Sequence, residues 1–474
     1  MALRRREALG LTGALLAGLA GCTGSGDDQN SDTPTKTMTE NNDTSEDETT
    51  RKTTTDTEEQ DFERIEVPPF PKIDPVTDPE LSEDLLADQI RGNVEFTLDL
   101  LSVLREDADS NLFFSPYSIS VALAMTYAGA GSNTEKEMAE ALHYVLDQER
   151  LHPAFGSLET EFEQRNEDGR ETNRTTREGK DPGPAFEFTT GNAVWGQEEY
   201  PFREAYLELL DAYYQAGLNL VDFSGSPEEA RTKINEWVAE QTNDRIEDLL
   251  PQGSIDQTTK LVLTNAVYFK SRWQHTFDEE DTTPKPFTAL DGTTTKVPTM
   301  HQSLKTSHAQ IDGHQLVELK YANYETSMVV VLPAEGEFES FEQKFTVDRL
   351  AIMLEQASQA RVDLALPKFE IESEFSLVKT MQELGMEDAF SGAADFSGMA
   401  DGGGGLSISD IRHKSFVSVD ELGTEAAAAT AVAVATSAPP KRVEMTVDRP
   451  FLFYIRDRPT ETPLFVGRVT ELGD

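Results

Sequence analysis

The sequence predicts an α+β fold in one large domain running from about residue 88 to the C-terminus. Helical periodicity dominates the first half of that region, strand character dominates the second, and the change falls near residue 261. Alternating α/β units would interleave the two signals, whereas segregated signals point to α+β. The 474 residues permit one large domain or a few small ones, at roughly 100–200 residues each.

The elements follow in order. Residues 92–104 set Val94, Leu98, Leu101 and Leu104 at helical spacing. Residues 118–128, SISVALAMTYA, are almost wholly apolar or small and read as a buried helix. Residues 161–184 are polar, charged and broken by Gly and Pro, and read as a surface insertion. A further helix is expected over 226–250, opened by Ser226-Pro227 and stopped by Pro251, with Ile234, Trp237 and Val238 marking one face. Then β-branched and aromatic residues take over at 261–269, 314–321, 327–333, 361–371 and 416–419. FLFYIRD, a turn RPTETP and LFVGRVTEL close the chain as a hairpin.

The N-terminal region carries different signals. Arg4, Arg5 and Arg6 precede a mildly apolar run of about 14 residues, short of the ~20 a spanning helix needs. It ends in Leu19-Ala20-Gly21-Cys22, so residues 1–21 resemble a twin-arginine export signal with a lipobox. The resemblance implies cleavage before Cys22, lipid on Cys22, and an exported chain anchored at the outer face of the cell membrane. Residues 22–87 are a Thr/Asp/Glu-rich tether followed by a Pro-rich lead-in, too poor in apolar side chains over 23–60 to offset ordering entropy.

Composition excludes several classes. Asp plus Glu number 87 against 41 Lys plus Arg, a formal charge of −46, so nucleic acid and anionic membranes would be repelled. The acidity is either a partner-binding surface or an adaptation to high salt, and its spread along the whole chain favours the second. Cys22 is the single cysteine, which rules out an intramolecular disulfide and a cysteine-based zinc site. No G-x-S-x-G, HExxH, GxGxxG or GxxxxGK occurs, and no two of the seven His are spaced i, i+4. No metal or cofactor is expected, and the chain is not read as an enzyme.

Six blocks resemble the serpin family in the family's order: residues 111–142, 234–250, 261–278, 364–371, 413–430 and 449–469. The resemblance spans about residues 88–474. It implies a single domain with helices packed on three β-sheets and an exposed reactive-centre loop at 423–440. It also implies a monomeric inhibitor that traps serine proteases covalently, with a non-inhibitory binding or storage protein as the alternative.

The loop residues suit that role on their own chemistry. A segment that enters a sheet needs small side chains, no Pro, and no charge on its inward face. Side chains alternate along a strand. Thr424, Ala426, Ala428, Thr430, Val432 and Val434 form one uncharged set, and the other set, with Ala427 and Ala429, holds the only charge, Glu425. Pro439 and Pro440 come only afterwards. Out of context the same run would read as an Ala-rich helix or a flexible linker. In the implied mechanism a protease cleaves the loop, the hinge Gly423–Thr430 inserts as a new strand, and the acyl-linked protease is dragged away and distorted before water releases it. At roughly 0.5–1.5 kcal/mol per ladder bond, insertion yields on the order of 10 kcal/mol.

The resemblance also assigns residues. Counting from Gly423 puts the scissile bond at Ser437–Ala438, with Thr436–Ser437 next. A small residue there suits an elastase-like or subtilisin-like extracellular protease. Ser115, Ser118, Asn265 and His413 match the polar cluster beneath the opening sheet, the shutter. Trp273, Lys368 and Glu421 match the breach, where the loop first enters, and a Lys368–Glu421 ion pair is expected.

Overall fold

The apolar run at 118–128 folds as the helix Pro116–Tyr127, and every residue of it is buried. Ser115 caps it, its hydroxyl accepting from Ser118 N–H, and Pro116 occupies the first turn, where its missing N–H costs nothing. The helix lies between two sheets, against the strand Leu261–Arg272 of one and Pro463–Val469 of the other. The computed structural model describes residues 61–70, 81–106, 110–171, 184–214, 218–401, 405–424 and 441–473. Cys22, most of the tether, the hinge beyond Thr424 and the reactive bond at Thr436–Ala438 lie outside the described residues.

The smaller sheet has the strand order Phe369–Ser376, Asp410–Val419, Gly423–Thr424, Leu261–Arg272, Ala193–Gln197, Asn219–Val221, with Phe186–Thr190 also on Leu261–Arg272. The larger runs Leu112–Phe114, Pro463–Val469, Phe451–Asp457, Thr326–Leu332, His314–Lys320, Thr294–Ile311, Ser358–Pro367, Arg442–Thr446, with Thr283–Thr288 also on Thr294–Ile311. The three sheets of the expected architecture thus form two hydrogen-bonded networks. The eighteen-residue strand Thr294–Ile311 serves both halves of the larger one, pairing with Ser358–Pro367 over most of its length and with His314–Lys320 at its end. The fold is α+β, as expected.

Three local readings are corrected. Residues 161–171, the start of the stretch read as a surface insertion, are helical, the last turns of Gln148–Glu171, and residues 172–183 lie outside the described residues. Leu151, Phe155, Phe162 and Arg165 are buried along that helix, and Pro153 with the charged residues between them hides that period. The helix expected over 226–250 ends at Gln241, and Asn243 and Asp244 take positive φ in the turn that follows. The strand expected over 361–371 is two strands, because Pro367 ends one and Lys368 carries the chain from the larger sheet to the smaller.

Alternation gives the strand Leu261–Arg272 two buried faces. Leu261, Leu263, Val267 and Phe269 join the main core, while Val262 and Ala266 pack with Ile234 and Val238 of the helix Pro227–Gln241. The centre of the smaller sheet is therefore covered on both sides.

Candidate functional site

The strands Asp410–Val419 and Leu261–Arg272 are joined in two different ways along their length. From Asp410↔Val262 to Ser415↔Val267 they pair directly and in parallel. Further along, Gly423–Thr424 lies between them, opposite Arg272 and Ser271 on one side, with Thr424 opposite Val419 on the other. Gly423 is required there: a Cβ would collide with the Ser271 carbonyl oxygen and Arg272 Cα. Thr424 is 1% exposed. Its hydroxyl lies 2.8 Å from the Tyr321 phenol. A wedge thus stands at one end of a sheet whose other end is shut.

A buried polar cluster holds the shut end. His413 and Asn265 are direct ladder partners, and the imidazole Nδ1 bonds the Asn265 Oδ1. Ser115 N–H donates to His413 Nε2 at 3.2 Å, which makes Nδ1 the donor to Asn265. Asn265 Nδ2 donates to Ser118 Oγ at 2.8 Å and Asn192 Oδ1 at 2.7 Å. Ser118 Oγ donates to the same Asn192 oxygen at 2.7 Å, and Ser115 Oγ to the Leu464 carbonyl at 2.6 Å. Burial pushes the His413 imidazole down to about 3, so it is neutral at ordinary pH. All four residues assigned to this cluster from sequence lie together, and Asn192 completes it. Nothing in the sequence flags Asn192, because a lone Asn after a strand looks like any turn residue.

The wedge end is built from the other set. Lys368 Nζ lies 2.6 Å from Glu421 Oε2. Burial works to raise the Glu421 carboxyl, but hydrogen bonds from Lys368 and Thr282 outweigh it and hold it below its usual range. Trp273 Nε1 donates to the Asp420 carbonyl at 3.0 Å, its backbone N–H to the Leu422 carbonyl at 2.8 Å, and its ring stacks on Tyr321 at 4.7 Å. Asp420 accepts from Leu422 N–H and Gly423 N–H, closing the turn into the wedge, while burial pushes its carboxyl up. Thr282, Tyr321 and Asp420 were not singled out from sequence.

Among the described residues no group of three His, Cys, Asp or Glu could hold a metal ion. What the arrangement offers is mechanical. A chain that continued past Thr424 along the same line would displace the direct pairing at His413 and Asn265, and would gain two ladders in exchange for one.

Comparison with known proteins bears on this geometry. The family model "Serpin (serine protease inhibitor)" matches residues 91–472. Human Serpin B3 is 37% identical over 398 residues, covering 80% of this chain and 97% of its own. Mouse leukocyte elastase inhibitor A is 38% identical over 390 residues, covering 80% and 98%. Among solved structures, human thyroxine-binding globulin complexed with thyroxine aligns with a TM-score of 0.71 at 28% identity, covering 82% of this chain and 100% of that one. With four-fifths of its length matched, this chain belongs to the serpin family, the serine protease inhibitors.

Proposed function

We propose that this protein is an inhibitory serpin, a suicide substrate whose loop is cut at Ser437–Ala438, or at Thr436–Ser437, and then inserts between Asp410–Val419 and Leu261–Arg272. The observation that carries the reading is the seat of Gly423–Thr424, already a two-residue strand between the strands that must part. The following loop residues are small, uncharged inward and free of proline up to Ala438. The small residue at the bond suits an elastase-like or subtilisin-like serine protease, in keeping with the likeness to an elastase inhibitor. In this reading the protein is exported, held at the outer membrane face by lipid on Cys22, and acts as a monomer whose acidity suits high salt.

The test is a denaturing gel after mixing the purified protein with subtilisin or elastase at a salt level both tolerate. A protease-sized upward shift that resists denaturant is the expected result, and sequencing the released C-terminal peptide locates the bond. Clean cleavage with no shifted band would make the protein a substrate of that protease and favour a binding role for the fold.

A further inference from the structure

We infer that the strands Thr294–Ile311, Ser358–Pro367 and Arg442–Thr446 carry a docking surface for the target protease, and that the protease it fits has an acidic rim around its active site. The inference rests on the inhibitor reading above. Its starting point is a local reversal of charge. The chain has more than two acidic residues for each basic one, 87 against 41. Yet Thr294–Ile311 contains no Asp or Glu in eighteen residues. The three adjacent strands together hold Lys296, Lys305, Arg361 and Arg442 against Asp363 and Glu444 alone.

The register lines up three of those cations. Lys305 is the ladder partner of Arg361, and Arg361 is the ladder partner of Arg442. All three are exposed, and neighbouring strands are about 4.8 Å apart. Like charges directly opposite each other destabilise a sheet, a cost that the Arg442–Asp363 ion pair offsets at one end of the row. The arginines are also held in place. Arg361 Nε donates to Ser303 Oγ at 3.0 Å, and Arg442 Nε to Asp363 Oδ2 at 2.6 Å. Both anchors use the inner nitrogen, so the outer edge of each guanidinium keeps donors for a carboxylate.

The row sits where a protease must come. Arg442 is four residues past Ala438, a reach of at most about 14 Å for extended chain. A protease bound at the loop therefore overlies this sheet on the leaving-group side. The net charge of −46 repels an acidic partner at long range. In concentrated salt, with a screening length of about 3 Å at 1 M, only contact pairs survive, and a fixed row of cations beside the scissile bond supplies them.

The test uses subtilisin whose catalytic serine is replaced by alanine, either untreated or with its lysines succinylated to give an acidic rim. The full chain is compared with the triple variant Lys305→Gln, Arg361→Gln, Arg442→Gln. The triple variant should bind the succinylated protease about tenfold more weakly than the parent, with a difference within about twofold for the untreated one. Equal binding of the succinylated protease by both would overturn the proposal. Lys305→Gln alone, one exposed side chain, should move the same way by less and serves if the triple variant fails to fold. Active subtilisin on a denaturing gel reads the inhibitor function separately: charge-dependent binding without a covalent band would leave the docking surface standing and remove the inhibitor.

Discussion

The hydroxyl of Thr424 lies 2.8 Å from the phenol of Tyr321, and both residues are buried. The last described residue of the hinge is thus already part of the core. Thr424→Arg should convert inhibitor into substrate, because an unpaired charge cannot take that seat cheaply. On a denaturing gel the shifted band should give way to cleaved protein, while Thr424→Val, which loses only one hydrogen bond at about 1 kcal/mol, should still trap protease. Normal trapping by Thr424→Arg would sink the insertion reading.

Gly423 makes the same argument through the backbone. Its Cα faces the Ser271 carbonyl and Arg272 Cα with no room for a methyl. Gly423→Ala should lower stability by about 1–3 kcal/mol in urea unfolding, the usual cost of overpacking, and raise the fraction of loop cleaved without trapping. An unchanged midpoint and unchanged trapping would mean that the wedge is not held as described.

The neutral His413 gives stability a pH dependence. Burial holds it at about 3 in the folded chain, against about 6.5 for an exposed histidine. Between those values the unfolded chain binds more protons, so stability is fully present above about 6.5 and falls as pH drops toward 3, by up to about 1.4 kcal/mol per pH unit. His152, pushed down to about 4 by burial, adds with the same sign. Asp457, pushed up to about 6 by burial, opposes them over the upper part of the window. His413→Gln should flatten the slope by close to one proton between pH ~4 and ~5.5, the effect fading as pH rises past ~6.5; an unaltered slope would contradict a buried neutral imidazole.

The Lys368–Glu421 pair is half open to water, with side-chain exposures of 37% and 7%. Lys368→Met strands the Glu421 carboxylate with the Thr282 hydroxyl. The expected cost is about 1–3 kcal/mol, less than for a fully buried pair because Lys368 is screened. Glu421 has a depressed folded value, so the pair contributes above the ordinary carboxylate range and its contribution is lost as pH falls through that value. The difference between parent and variant should therefore vanish in acid. A difference constant with pH would place the effect in packing instead.

Much of the fold was legible because its signals are local. The all-buried helix Pro116–Tyr127 announces itself by an unbroken apolar run, and the strand Leu261–Arg272 by its β-branched and aromatic residues. The helix Gln148–Glu171 was not legible over its last turns, since a dense charge pattern imitates a loop. The turn from Pro367 through Lys368 into a second sheet is likewise invisible to periodicity, which continues across it. At the site, His413, Asn265, Ser115 and Ser118 came from a matched pattern, but Asn192, Tyr321, Asp420 and Thr282 act only through contacts 70 or more residues away, or through backbone atoms. No spacing in the chain encodes those.

The central claim is that the loop becomes a strand between Asp410–Val419 and Leu261–Arg272. The most direct measurement is a crystal structure of the protein after cleavage in the loop. The account predicts that residues 426–436 continue the strand begun at Gly423–Thr424, and that His413 and Asn265, ladder partners in the uncut chain, no longer pair. A cleaved protein in which His413 still pairs with Asn265 would contradict it.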